Sequence, residues 1–320
     1  MGTMRKTSIV FALAVSLGLC AGCEKKAPPL TTLKLATGDS TGIYYAYGSA
    51  LGQVFEKRLG LQVTVQTTAA AVANIGLIQA GSADFAFVQN DVMTYAYNGT
   101  NIFAAAGAQK DFSAVAGLYP EVCHIVAAEG VAAITGLKGL RVSVGESGSG
   151  TALNAAQILQ TYGMSFADIK QENLNFRDSA KALAAGEIDA FFCTAGIPTP
   201  VLVDLASSTR IQLLPIGEAR RKLLLSEYPY YKVYTIPGGI YPGIAEDVNT
   251  VAVQATLVVN NKIQASDVYK ITQALFEGQT EITAAYPKAA ELSLESAVLG
   301  IPVPFHPGAL KYYREQGAMK

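Results

Sequence analysis

The stretch Leu140-Arg141-Val142-Ser143-Val144-Gly145-Glu146-Ser147-Gly148-Ser149-Gly150-Thr151, continued by Ala152-Leu153-Asn154-Ala155-Ala156-Gln157-Ile158-Leu159, decides the fold class. A short β-branched run ends in a Gly/Ser loop, which passes directly into an alanine-rich segment with apolar residues at helical spacing. Strand, tight loop and helix in that order form the unit of an α/β protein. The junction gathers unpaired backbone N–H groups, the positive end of a helix dipole and the hydroxyls of Ser147, Ser149 and Thr151 around one point, which suits an anion. Gly145-x4-Gly150 followed by Thr151 has the outline of a phosphate-binding loop, but the lysine that should precede the threonine is missing. The stretch therefore reads as a carboxylate cradle and not as a nucleotide site. On this loop alone, a Gly-rich connection that binds nothing fits equally well.

The same device opens the foldable part of the chain. Leu33 to Thr37 alternates as a strand, Gly38-Asp39-Ser40-Thr41-Gly42 breaks it, and Ile43 to Glu56 has the spacing of an amphipathic helix with Tyr44 and Tyr45 in its first turn. Those tyrosines either offer hydroxyls and an aromatic wall to a ligand or anchor the core with their tips in water. Leu61 to Thr67 alternates again, residues 69–80 are helical, and Asp84 to Val88 is a buried strand ending in Gln89-Asn90-Asp91. Polar residues at the carboxyl end of a parallel strand lie where open α/β sheets bind ligands.

A comparable module follows the opening strand: helix 151–161, a strand near Glu172 to Phe176, helix 178–185, and a strand through Cys193 into Thr194-Ala195-Gly196. Ala80 to Val88 and Ala185 to Cys193 share a helix end, a Gly cap, then Asp and an aromatic strand. Two similarly built α/β domains are expected, with Thr194 and Gly196 as the second domain's counterpart of Gln89 to Asp91. Apolar runs Phe112 to Leu118 and Cys123 to Ala128 flank Tyr119-Pro120-Glu121. Helices are expected over 201–207, 218–226, 266–276, 280–286 and 309–315, with strands at Ile211 to Ile216 and Val248 to Val259. Ile236-Pro237-Gly238-Gly239-Ile240-Tyr241-Pro242-Gly243 cannot be regular structure and is a candidate crossover. Arg220-Arg221-Lys222 reads as a solvated helix face.

Residues 1–23 form a lipoprotein-type signal peptide: Arg5 and Lys6, an apolar run from Thr7 to Leu19 too short to span a bilayer, then Ala21-Gly22-Cys23 with Cys23 as the acylated residue. Cys20 stands where a leucine is usual, and ordinary cleavage nearby is the alternative. Residues 24–32 are a polar, Pro-containing tether. Removing the leader takes two of the 24 basic residues and none of the 25 acidic ones, leaving a net charge of −3 with no basic cluster, so nucleic acid is excluded as a partner. Nearly 300 residues at 50% hydrophobic composition exceed one comfortable core. With His124 and His306 as the only histidines and no Cys-x-x-Cys, neither a metal nor another cofactor is expected. Cys123 and Cys193 each sit in an apolar run that suits a buried thiol, though a disulfide is open to them in an oxidising compartment.

The chain from about residue 33 onward resembles the TAXI family of extracytoplasmic solute receptors that serve TRAP transporters. Thr37-Gly38 with Gly42-Ile43-Tyr44-Tyr45, Asp84 to Asp91, Val144 to Thr151, Gly186 to Phe192, Ala252 to Val258 and Ile301 to Gly308 carry the resemblance. It implies a two-lobed periplasmic-binding-protein fold (Venus flytrap, type II), each lobe an open, mostly parallel sheet flanked by helices. Residues 33–123 and 240–320 would form lobe 1 and residues 124–239 lobe 2, with crossovers near 120–126 and 234–250. A small carboxylate, glutamate or a related amino acid or dicarboxylate, would be held between the lobes and delivered to TRAP membrane subunits. The membrane itself would be touched only through the lipid anchor. Matching positions imply that Tyr44, Gln89, Asn90 and Ser147 to Thr151 face the ligand. Where the family often carries Gly-Ser before Val-x-Asn, this chain has Ala70-Ala71 before Val72-Ala73-Asn74.

The expected ligand-binding set is thus Thr37, Gly38, Gly42, Tyr44, Tyr45, Gln89, Asn90, Asp91, Ser147, Gly148, Ser149, Gly150, Thr151, Thr194 and Gly196. For an amino acid, Asp39, Asp91 or Glu146 would meet the ammonium. The competing functions are an exported enzyme acting on a small carboxylate, against which stands the lack of a Gly-x-Ser-x-Gly elbow or a loop histidine, and a ligand-binding sensory protein.

Overall fold

The computed structural model describes residues 1–2 and 30–320, so the leader from residue 3 onward, Cys23 and the tether up to residue 29 lie outside the described residues. The chain builds β1 (Thr32–Ala36), α1 (Ile43–Leu59), β2 (Gln62–Gln66), α2 (Ala71–Gln79), β3 (Phe85–Gln89), α3 (Asn90–Asn98) and the long β4 (Phe112–Ala128). Next come β5 (Arg141–Ser143), α4 (Gly150–Thr161), β6 (Lys170–Glu172), α5 (Phe176–Ala184), β7 (Ala190–Ala195), α6 (Pro200–Ser208), β8 (Ile211–Leu213), α7 (Glu218–Glu227) and β9 (Lys232–Ile236). A second long strand, β10 (Val248–Asn260), precedes α8 (Ala265–Glu277), α9 (Gln279–Ala285), α10 (Leu294–Val298) and α11 (Pro307–Glu315).

The strands form one mixed sheet in the order β2-β1-β3-β10-β4-β7-β5-β6, with β8 beside β4 and β9 beside β10. Two parallel sets, β2-β1-β3 and β7-β5-β6, are what strand-loop-helix units produce, because the return helix brings each strand back in the same direction. β4 and β10 run antiparallel to their neighbours and join the sets. Each half of the sheet carries a hydrophobic cluster on both faces. Leu35, Phe85, Phe87 and Leu257 belong to the first half, and Val142, Ile158, Phe191 and Phe192 to the second.

Several boundaries differ from expectation. The two apolar runs around Pro120 are a single 17-residue strand, β4. Pro120 stands opposite Gln254, beside a register shift between Ala255 and Thr256, where the missing prolyl N–H is tolerated. Gln89-Asn90-Asp91 does not end in a loop, because the chain turns straight into α3 at Asn90. The strand expected near Glu172 to Phe176 stops at Glu172. Asn175 instead caps α5, its side-chain oxygen accepting from the Asp178 N–H at 2.8 Å, which makes Phe176 a helical residue. Strand β9 was not foreseen, and α11 starts at Pro307, as a helix with proline at its first position does. Cys123 and Cys193 are free thiols: Cys123 stands opposite Thr194 and Cys193 opposite His124, so their side chains point to opposite faces of the sheet.

Candidate ligand-binding site

The site forms where the long strands exchange neighbours. β10 pairs with β9 over Val248 to Ala252 and with β3 over Ala255 to Val259, while β7 joins β4 from Val122 onward. Such an exchange opens a crevice at the strand ends. A cavity of about 60 Å³ lies there, and four helix N-termini line it. Helix α1 contributes Gly42, Ile43 and Tyr44; α2 contributes Ala70 and Ala71; α4 contributes Ser149, Gly150 and Thr151; α5 contributes Asn175 and Phe176. First-turn N–H groups have no partner inside their own helix, and the four dipoles direct their positive ends at one space. Ser149 caps α4 by accepting from the Ala152 N–H at 3.1 Å, and the Gly150 and Thr151 N–H groups of the same first turn have no partner within the helix.

The structure brings Gly38, Gly42, Tyr44, Gln89, Ser149, Gly150, Thr151 and Thr194 onto this wall, along with Asp39 and Glu146. Tyr45 and Gly196 are not on it, and Ser147 and Gly148 are exposed on the outer side of their loop. Gly196 instead packs so closely that a Cβ there would stand 2.6 Å from Cε of Lys288. Thr37 is wholly buried below the wall, donating to the Gln66 carbonyl at 2.7 Å, while Asn74 donates to the Thr37 carbonyl at 2.6 Å. Asn90 faces away: its Oδ1 accepts from the Gln254 N–H at 3.0 Å and its Nδ2 donates to the Tyr230 carbonyl at 3.4 Å. Asp91 is fully buried and accepts from Asn154 Nδ2 of α4 at 2.9 Å, so it fastens α3 to α4 and does not reach the cavity.

Sequence reasoning missed Glu121. It sits on β4 at the strand exchange, 4% exposed, and forms part of the cavity wall. Tyr44 donates its phenolic proton to Glu121 Oε2 at 2.7 Å. Burial pushes the Glu121 carboxyl up to about 8, with the charge of Asp91 adding to the rise and Tyr44, Lys288 and Gln89 opposing it. Burial likewise raises Glu146, helped by Asp39 and Asp178, and lifts Asp91 to about 6. Glu121 was detectable as the one acid in a 17-residue strand, set between two apolar runs. Asn175 and Phe176 were missed because their helix N-terminus read as a strand end. Among the described lining residues there is no lysine or arginine, so an anion here would be held by dipoles, N–H groups and hydroxyls. Among the described residues no cluster of His, Cys, Asp and Glu could hold a metal ion, and no helix is long and apolar enough to cross a membrane.

The family model described as the NMT1-like family matches residues 35–317. PhnD1 from Prochlorococcus marinus (MIT 9301), solved in complex with methylphosphonate, superposes with a TM-score of 0.58 at 10% identity, over 90% of this chain and 99% of that one. The alkanesulfonate-binding protein SsuA from Xanthomonas axonopodis pv. citri, bound to MOPS, superposes with a TM-score of 0.52 at 17% identity, over 91% and 92% of the two chains. At such identities the likeness is one of fold: an α/β architecture with a mixed sheet flanked by helices, that of type II periplasmic solute-binding proteins.

Proposed function

This chain belongs to the NMT1-like family, and from that premise we propose that it is a non-catalytic, exported solute-binding receptor that passes a small carboxylate to a membrane transporter. Residues 33–123 and 240–320 form one lobe of this reading and residues 124–239 the other, with the cavity between them. The observation that carries it is the convergence of four helix N-termini on one cavity that lacks lysine and arginine, where an anion is held without a fixed counter-ion. The two solved proteins of the same fold are named for, or bound to, a sulfonate and a phosphonate, both small oxyanions. The resemblance to TAXI receptors adds the finer part: TRAP membrane subunits as partners, glutamate or a related amino acid or dicarboxylate as solute, and Cys23 as the lipid-bearing residue.

A thermal-shift screen of amino acids and dicarboxylates tests the proposal. A ligand at 100 times its dissociation constant stabilises the folded state by about 2.7 kcal/mol, a rise on the order of 5 °C in Tm for a chain of this size. A flat screen across both classes, with sulfonates and phosphonates also inert, would remove the receptor reading. Conversion of a bound compound to product would replace it with an enzyme.

A further inference from the structure

The cavity wall contributed by β3 and β4 is rich in acceptors and short of donors. Glu121 and Gln89 are 4% and 3% exposed, and both face the cavity. The Gln89 amide stabilises the ionised form of Glu121, which an amide does through its N–H, so its Oε1 is left as the free atom. That Oε1 is buried without a hydrogen-bond partner. It is turned toward the first turn of α4, 1.8 Å from where a Cβ on Gly150 would stand. Asp39 and Glu146 line the same space. The cation whose charge reaches Glu121, Lys288, is committed elsewhere, donating to the Ile197 carbonyl at 2.8 Å and pairing with Glu291 at 2.7 Å.

A dicarboxylate would add two negative charges beside three carboxyls and would leave the Gln89 oxygen unpaired, both at a cost in free energy. A protonated amine supplies positive charge and three N–H donors to the same acceptors. The helix N-termini on the other walls accept the carboxylate of the same molecule. We infer that Glu121 and Gln89 Oε1 form a subsite for a protonated amine, so that the solute is a zwitterion of the amino-acid class and not a dicarboxylate. The inference rests on the receptor reading of this cavity.

The subsite has a pH signature. The groups facing Glu121 are Tyr44 from α1, Asp91 from α3, Lys288 from the turn after α9, and Tyr119 on its own strand, with Asp39 and Glu146 across the cavity. With a carboxyl that titrates near 8, the empty site holds a proton at neutral pH. An incoming ammonium displaces it to solvent, so affinity rises with pH from 6 to 8. A dicarboxylate would instead keep that proton as a hydrogen-bond donor, and its affinity would fall over the same range.

The test pairs each amino acid with its des-amino counterpart, such as L-glutamate with glutarate, in titrations of the purified protein between pH 6 and 8. Support consists of binding by amine-bearing members alone, affinity rising with pH, and proton release shown by calorimetry in buffers of different ionisation enthalpy. Glu121→Gln, isosteric and uncharged, should then weaken amino-acid binding at least about 30-fold and flatten the pH slope. Equal binding by the des-amino partners, or a slope of opposite sign, overturns the subsite and leaves the receptor reading standing. If no member of the panel binds, the subsite falls, and the receptor reading is decided separately by whether sulfonates and phosphonates are inert as well.

Discussion

At the scale of the residue, the strained position on the cavity wall is Ala70, with φ 66° and ψ −142°, backbone that glycine adopts freely and alanine does not. The strain is worth roughly 1–3 kcal/mol, and a glycine would relieve it while giving back about 0.5–1 kcal/mol through the looser unfolded chain. Ala70→Gly should therefore stabilise the protein by about 1 kcal/mol, read as a higher urea midpoint at unchanged m-value. A lower midpoint would show that the Ala70 methyl packs against the wall more favourably than its backbone suffers. The sequence singles out Ala70-Ala71 as a departure, but no pattern in a sequence carries a dihedral angle. Glu121 stands out in the sequence as an acid between two apolar runs, but what it does there was illegible for a related reason. Its role comes from the exchange of strand neighbours around it, and only Tyr44, 77 positions away, shows that it faces a site.

At the scale of the element, local patterns carried most of the reading. Alternation, helical spacing and unbroken apolar runs located β1, α1, β2, α2, β3, α4 and β10 to within a few residues, β3 and β10 being buried along nearly their whole length. The errors fall where tertiary context decides. The helix Asn90 to Asn98 packs on α2 and β10, with Asp91 tied to Asn154 of α4, and Asn175 becomes a cap through its own side chain. The Gly/Ser loop divides by function in a way its composition conceals. Gly148 has φ 79° with open space around it, whereas Gly150 lies at the start of α4 with Gln89 against it. Gly150→Ala should leave the helix intact, alanine being the better helix former. Its methyl displaces the Gln89 amide, so solute affinity should drop on the order of tenfold, about 1.4 kcal/mol. Gly148→Ala should do the reverse, costing about 1 kcal/mol of stability through its left-handed backbone while sparing affinity. Calorimetric titration beside thermal unfolding separates the two, and equal affinities in both variants would remove Gly150 from the closed site.

At the scale of the whole molecule, β4 runs through both proposed lobes, β10 of the first pairs with β9 of the second, and the lobes meet at contacts around the cavity: Gln89 on Gly150, Asp91 on Asn154, and Lys288 on Ile197. The last is a charged bond from the turn after α9 to the end of β7, with the Lys288 side chain 7% exposed and its ammonium 5.6 Å from the centre of the Tyr119 ring. A hydrogen bond to a charged group contributes about 1.5–3 kcal/mol, and in the proposed receptor it would be broken when the lobes part. On that proposal it would bias the equilibrium between open and closed forms without touching the solute. Lys288→Met keeps the apolar stem and removes the ammonium. The variant should expand in solution when unliganded, seen as a larger radius of gyration in small-angle scattering, and should return to the wild-type dimension at saturating solute. Its affinity should fall about tenfold through faster dissociation, because the competent closed population shrinks by that factor. Scattering curves that coincide with and without solute, in both proteins, would mean that the halves do not move, and the shared strands would then be a rigid spine in place of a hinge.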